Sequence, residues 1–233
     1  MHVYGKNVAK ELLQNPKTIK KAYIYENFND EEILDKIKRE NISYKFLDKK
    51  ALDKIEEGNH QGIILDIDDY KYSYLDKLLN RDIIVILDHL EDPHNFGAII
   101  RTCEAAGINS IIIPKDRTVK VNATVMKTSA GTLENVDICM VSNIVNAIKT
   151  LKDNGFWIIG TDMEGTDYRK IDYKGKIAIV IGNEGKGLSR LTEENCDFIA
   201  KIPMYGKVNS LNASVAAALV IYEAVMNRWI MMT

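Results

Sequence analysis

The sequence predicts an α/β protein with a mostly parallel sheet, and three observations carry that prediction. Short apolar runs alternate with helix-period segments almost from end to end of the 233 residues. The helical segments carry stop signals, with Pro16 after the first and Gly107 after Ala105 and Ala106. A continuous apolar run, Ile177 to Ile181, leads straight into a glycine-rich turn at Gly182, Gly185 and Gly187, as a buried strand in an α/β sheet does.

Taken in order, residues 7–14 and 31–39 read as helices, 22–25, 44–47 and 62–67 as strands, and 83–87 as a buried strand. Residues 96–106 form the next helix, 110–113 a strand, 144–152 a helix, and 156–160 and 176–181 two more strands. A strand ends at Ile202, and the last helix spans about 212–229, where Leu211, Val215, Leu219, Tyr222, Val225, Met226 and Trp229 recur at helical spacing. Ala213, Ser214, Ala216, Ala217 and Ala218 make its first turns narrow, which suits close packing in the core or against a second subunit. Residues 66–80 are polar and rich in Asp, Lys and Tyr between two apolar runs. The division expected is a small domain over 1–70, a linker over 71–81 and a catalytic domain over 82–233.

Composition narrows the function. Hydrophobic residues at 46% and charged residues at 27% are ordinary for a soluble globular protein. No apolar run approaches the ~20 residues of a membrane span, and the start has no apolar leader core. The three cysteines, Cys103, Cys139 and Cys196, form no CxxC pair and fit reduced thiols in the cytoplasm. A net charge of −2 argues against a globally basic nucleic-acid grip. Any RNA contact must come from local clusters, the best being Lys115, Arg117, Lys120 and Lys127, although charge alone favours a solvated loop.

Three segments carry chemistry. In the first, Asp92-Pro-His-Asn-Phe-Gly-Ala-Ile-Ile-Arg101, a helix is expected to begin near Asn95, a candidate N-cap. Arg101 lies among apolar residues, where an arginine is expected to meet an anion or ligand. His89 and His94 beside Asp88 and Asp92 lack a metal-ligand spacing, so no metal is expected. The second, Gly182-Asn-Glu-Gly-Lys-Gly-Leu188, is neither a Walker A loop nor GxGxxG, and no acidic partner follows, which disfavours a nicotinamide enzyme. Glu184 inside the loop would repel phosphate, so the loop suits a neutral or cationic ligand such as a sulfonium cofactor. The third, Ile202-Pro-Met through Asn209-Ser-Leu-Asn-Ala-Ser214, gathers Asn209, Ser210 and Asn212 at one helix N-terminus, more polar groups than capping needs.

Together the three segments resemble the signature of the SpoU/TrmH RNA ribose methyltransferases, a branch of the SPOUT superfamily. The catalytic-domain resemblance covers roughly residues 83–228. Val3-Tyr-Gly-Lys-Asn-Val-Ala-Lys-Glu-Leu-Leu13 and His60-Gln-Gly-Ile63 resemble the subgroup that adds a small ribosomal-protein-like RNA-binding domain and methylates a guanosine of 23S ribosomal RNA. Ala213 stands where the family more often has valine and Cys103 where it has alanine; neither change removes a chemical group. The resemblance implies a C-terminal parallel sheet with a deep trefoil knot, S-adenosylmethionine as cofactor, a role in rRNA processing, and a homodimer that shares its active site between subunits. It implies Asn95, Arg101, Glu184, Ser210 and Asn212 as the catalytic group, and Thr161, Gly182, Ile202, Met204 and Leu211 around the cofactor. RNA contact is expected at Lys6, His60, Gln61, Lys115, Arg117 and Lys120. The alternatives are a tRNA ribose methyltransferase and a non-catalytic RNA-binding assembly protein of the same fold.

Overall fold

Alternating apolar strands and amphipathic helices need two layers or more to bury their apolar faces, and the computed structural model, which describes residues 1–14 and 16–230, meets that need in two separate units. The first comprises Met1–Lys71 together with Val121–Gly131. The second comprises Tyr72–Lys120 and the chain from Thr132 onward.

In the first unit, strands β1 (His2–Tyr4), β2 (Ile19–Tyr25), β3 (Ser43–Leu47) and β4 (Ile63–Ile67) form a sheet in the order β1-β4-β2-β3. Only β2 and β3 run parallel; β4 is antiparallel to both β1 and β2. This sheet is therefore mixed, and the parallel sheet expected of the C-terminal domain lies in the second unit. Helices α1 (Lys6–Leu12) and α2 (Glu31–Arg39) place Val8, Leu12, Ile33 and Ile37 against Val3, Ala22, Ile24, Ile63 and Leu65. The Asp30 carboxylate caps α2 by accepting from the Ile33 amide. A short helix α3 (Lys49–Ile55) follows β3, capped by Asp48. Val121–Gly131 comes from the middle of the second unit's sequence, yet its helix, Ala123–Thr128, sets Ala123 and Met126 on the first unit's core. Sequence order carries no sign of that return.

The second unit begins with a four-residue helix, α4 (Leu75–Leu78), in the stretch expected to be a linker. Ser73, Lys77 and Arg81 all donate to the Asp137 carboxylate, at 2.9, 2.6 and 3.2 Å, so this stretch is fastened to its own unit. Burial would raise the Asp137 carboxyl, but the Lys77 and Ser73 hydrogen bonds outweigh it and hold the group below the usual carboxylate range.

The second sheet is built from β5 (Ile83–Leu87), β6 (Ser110–Pro114), β7 (Asp137–Val141), β8 (Phe156–Asp167), β9 (Lys176–Ile181) and β10 (Phe198–Lys201). Its order is β10-β8-β9-β5-β6-β7 and every pair is parallel. All six carboxyl ends thus lie along one edge. The unbroken apolar sequence Ile83-Ile-Val-Ile-Leu87 is buried throughout because helices cover both faces. Ile84, Ile86, Ala178 and Val180 pack with Ile144, Ile148 and Leu151 of a helix over Ile144–Asp153. On the opposite face lie the α5 helix (Pro93–Ala105) and the final helix (Ala213–Ile230), packed on each other. The Trp229 side chain is outside the described residues.

The three cysteines are free thiols. Burial pushes Cys139 up to about 11 and Cys196 up to about 12, so both stay protonated at neutral pH. Among the described residues no helix is long and apolar enough to cross a membrane.

Candidate active site

In an open parallel sheet, ligands gather where the strand order reverses, beyond the carboxyl ends. Here the chain leaves β5 toward β6 on one side while β9 lies on the other, so the reversal falls between β5 and β9. The loops after those two strands are tied together across that point. Asn183 Nδ2 donates to the His89 carbonyl at 2.8 Å, and the Ser189 amide donates to Asp88 Oδ2 at 2.8 Å. Asn95 Nδ2 also donates to Glu184 Oε1.

The Asp88 side chain is wholly buried, and its other oxygen meets His89 Nδ1 at 2.5 Å. His89 itself sits at a φ of 60°, the left-handed region. These residues therefore fix the β5 turn against the glycine loop. Asp92 caps α5, accepting from the amides of His94 and Asn95 at 3.2 Å each, and Pro93 occupies the first helical turn. The helix thus starts two residues before Asn95. That corrects Asn95 as the N-cap and frees its buried amide to hold Glu184.

The glycine loop closes on itself. The amides and carbonyls of Asn183 and Gly187 exchange two hydrogen bonds of 2.9 Å, and Asn183 Oδ1 accepts from the Gly185 amide. A methyl group on Gly182 would stand 2.4 Å from the Gly187 carbonyl carbon and 2.6 Å from the Leu188 nitrogen. The glycine at 182 thus serves the loop's own closure, a tighter requirement than an approaching ligand.

Around this loop, the ends of β8, β9 and β10 and the passage into the last helix enclose a cleft of about 670 Å³. Thr161, Gly182, Ile202, Met204 and Leu211 all line it, as do Glu184 and Ser210. Its walls are apolar at Ile181, Ile202, Met204, Leu211 and Ala213, with the carboxylates of Asp162 and Glu184 and the ammonium groups of Lys186 and Lys201 at intervals. Thr161 Oγ1 donates to the Val180 carbonyl at 3.0 Å, so its hydroxyl holds β8 to β9.

Three expected members stand outside the cleft wall, and of these Asn95 still reaches it through its hydrogen bond to Glu184. Asn212 caps the last helix, its Oδ1 accepting from the amide and hydroxyl of Ser214 at 3.0 and 2.6 Å. The Arg101 side chain is exposed and makes no ion pair or hydrogen bond among the described residues, which leaves its guanidinium open to an anion or ligand. Phe96, Ile99, Ile100 and Cys103 take the inner side of α5, and helical rotation turns His94, Arg101 and Ala105 outward. Beside Arg101, Ala98 and Thr102 form a groove of about 520 Å³ with Val215, Leu219, Tyr222 and Met226 of the last helix.

The expected RNA contacts divide. His60 is buried, with Nε2 at 3.0 Å from Asp53 Oδ1 and Nδ1 accepting from the Gly62 amide at 3.0 Å. Gln61 accepts from the Lys6 amide at 2.9 Å, serving the start of α1, where Gly5 has no side chain to do so. Both shape a turn; the burial of His60 corrects its reading as a surface contact, whereas Gln61 remains exposed. Lys6 lies over the Phe28 ring at 5.1 Å and near Asn29 and Asp30. Lys115, Arg117 and Lys120 are exposed on the loop after β6, at the carboxyl edge, and that loop is pinned by Thr118 and Val119 to the Leu90 carbonyl. Lys127 belongs to the other unit. Sequence reasoning missed Asp88 and Asn183 as positioning residues; each is polar in an apolar strand-end context, which was the available signal.

The chain matches the SpoU rRNA Methylase family over residues 82–222, and the RNA 2′-O ribose methyltransferase substrate-binding family over residues 2–73. A Staphylococcus saprophyticus protein assigned to the TrmH family of tRNA/rRNA methyltransferases is 41% identical over 237 residues, covering 97% of this chain and 95% of that one. The fold is similar to that of the SpoU methyltransferase AviRb from Streptomyces viridochromogenes, solved with AdoMet, with a TM-score of 0.80 and 23% identity across 98% of this chain and 90% of that one. An AdoMet-bound rRNA methyltransferase from Sinorhizobium meliloti superposes with a TM-score of 0.77 and 27% identity over 96% of this chain and 85% of its own.

Proposed function

The chain belongs to the SpoU/TrmH family of RNA methyltransferases, and from that premise we propose that it methylates the ribose 2′-hydroxyl of a guanosine in 23S ribosomal RNA. One observation carries the reading: the five residues expected around the cofactor and the carboxylate of Glu184 line a single cleft at the reversal point of the second unit's sheet.

The cleft suits S-adenosylmethionine. Its volume is in the range of small-molecule sites, its walls are apolar enough for an adenine ring, and Asp162 and Glu184 offer negative charge to a sulfonium. Lys186 and Lys201 offer positive charge to a carboxylate. When bound, the cofactor supplies an already electrophilic methyl group. The protein's task is then alignment and charge control at the ribose oxygen, and alignment can contribute up to ~7–11 kcal/mol.

Gly182, Ile202 and Leu211 hold the cofactor chiefly through backbone, with Thr161 and Met204 beside them. Asn95 fixes Glu184 by its hydrogen bond. Ser210 contributes a hydroxyl at the cleft wall, and Asn212 fixes the helix start that follows it. A guanidinium keeps its proton to about pH 12 or beyond, so Arg101 stabilises the developing alkoxide or a neighbouring phosphate instead of removing a proton.

Arg101 does this for a partner subunit in a homodimer. The support is its outward position beside an apolar face of the last helix, where Val215, Tyr222 and Met226 are 48%, 44% and 54% exposed. A trefoil knot through the loops at 182–187 and 202–212 and a cytoplasmic location belong to the same reading. Lys115, Arg117 and Lys120, exposed at the carboxyl edge, are its phosphate contacts.

The test offers labelled S-adenosylmethionine with protein-free 23S ribosomal RNA and, separately, with bulk tRNA. The expected result is one 2′-O-methylguanosine in the ribosomal RNA and background label in tRNA. Label confined to tRNA redirects the target, and RNA binding without transfer overturns the enzymatic reading.

A further inference from the structure

The apolar face of the first unit's sheet does not end where its helices end. Parallel register sets Tyr44 of β3 beside Ala22 of β2, and Phe46 beside Ile24, so all four point to one side of the sheet. Ala22 and Ile24 are buried under α1 and α2, whereas Tyr44 and Phe46 remain 42% and 47% exposed. Their rings pack edge to face at 5.6 Å, a rigid aromatic step on the outermost strand. Among the described residues that strand has β2 as its one neighbour, so its outer backbone edge carries no further strand.

Charge surrounds the step. Residues 36–50 carry six cations, Lys36, Lys38, Arg39, Lys45, Lys49 and Lys50, against two carboxylates, in a chain whose net charge is −2. No ion pair engages any of the six among the described residues. Of the two carboxylates, Asp48 is committed to capping α3 by accepting from the Ala51 amide at 2.8 Å. Five of the cations sit at the end of α2 and the start of α3, so they flank the rings along the chain in both directions, while Lys45 lies between the rings on the strand and points to its other face. Exposed aromatic faces flanked by unpaired cations are the combination that holds unpaired nucleic acid: bases stack on the rings while phosphates meet the ammonium and guanidinium groups. An apolar partner protein would match the rings but leave the flanking charges without complement.

We propose that the β3 edge is the surface on which this protein holds an unpaired segment of its RNA, with two bases stacked on Tyr44 and Phe46. The proposal rests on the reading of the substrate as RNA and adds where and in what form the RNA is held.

The test measures binding of a fluorescein-labelled single-stranded RNA of mixed sequence, and of a duplex of equal length, to the full chain. The variants are Tyr44→Ala/Phe46→Ala, Tyr44→Phe/Phe46→Tyr and Lys38→Gln/Lys49→Gln/Lys50→Gln. Removing both rings is expected to weaken single-strand binding by about tenfold or more with little effect on duplex, and exchanging the rings restores it. The lysine variant is expected to lower the slope of log affinity against log salt by about 0.7 for each phosphate that it no longer neutralises. Melting temperature and S-adenosylmethionine binding stay at wild-type values in all three. Undiminished single-strand binding by the alanine variant overturns this surface alone. A wild-type chain that binds no RNA overturns the methyltransferase reading as well. A change in sedimentation of the alanine variant without a change in RNA affinity assigns the edge to pairing of two copies and overturns the proposal.

Discussion

Arg101→Ala is expected to lower methyl transfer by about 10²–10³-fold or more while leaving S-adenosylmethionine affinity and melting temperature unchanged. The stability half of that expectation follows from position. Arg101 is on the outer face of α5, without a partner among the described residues, and substitutions at such sites usually change stability by no more than ~0.5 kcal/mol. The cofactor half follows from its absence from the cleft wall. Arg101→Lys should fail too if the planar fork matters, because an ammonium cannot present two parallel donors. Placement across a subunit boundary gives a sharper arm. Co-expressed with Glu184→Ala, itself expected to be inactive, Arg101→Ala should form mixed dimers with one intact site and recover about a quarter of wild-type activity. Absence of recovery would return Arg101 to its own chain's cleft.

Gly182→Val is expected to abolish cofactor binding, and Gly185→Ala to preserve it. A Cβ at 182 meets backbone at 2.4 and 2.6 Å, and backbone cannot swing aside as a side-chain tip can. Opening the loop would break the paired 2.9 Å hydrogen bonds between Asn183 and Gly187 and move Glu184 away from Asn95. At Gly185 a Cβ would meet only Asn183 Oδ1, at 3.8 Å, and the backbone there has an ordinary φ. Isothermal titration of the two variants with S-adenosylmethionine separates the cases. Equal affinities would mean that loop closure is not what shapes the cleft.

The parallel sheet was legible because five consecutive apolar residues in β5 and five in β9 leave little but a doubly covered strand. β1 escaped because three residues carry no period, and β7 because it opens on Asp137 and holds Cys139 and Met140 in place of β-branched residues. The mixed direction of the first sheet was not readable, since strand direction depends on connections and not on composition. At the site, the start of α5 was misplaced by three residues because Asp92 and Asn95 are both good caps, and only geometry shows which carboxylate or amide meets the free amides. His60 looked like a surface residue because its two partners, Asp53 and the Gly62 amide, are contacts of the folded turn. Tyr44 and Phe46 fit an ordinary alternating strand, and their exposure follows only from β3 lying at the sheet edge.

The most direct measurement follows the label. The protein is incubated with methyl-labelled S-adenosylmethionine and 23S ribosomal RNA, and the RNA is then digested with alkali, which cleaves next to a free 2′-hydroxyl and stops at a methylated one. The account predicts label in alkali-resistant dinucleotides whose first residue is guanosine. Label in mononucleotides would place the methyl on a base and contradict the geometry argued for the cleft.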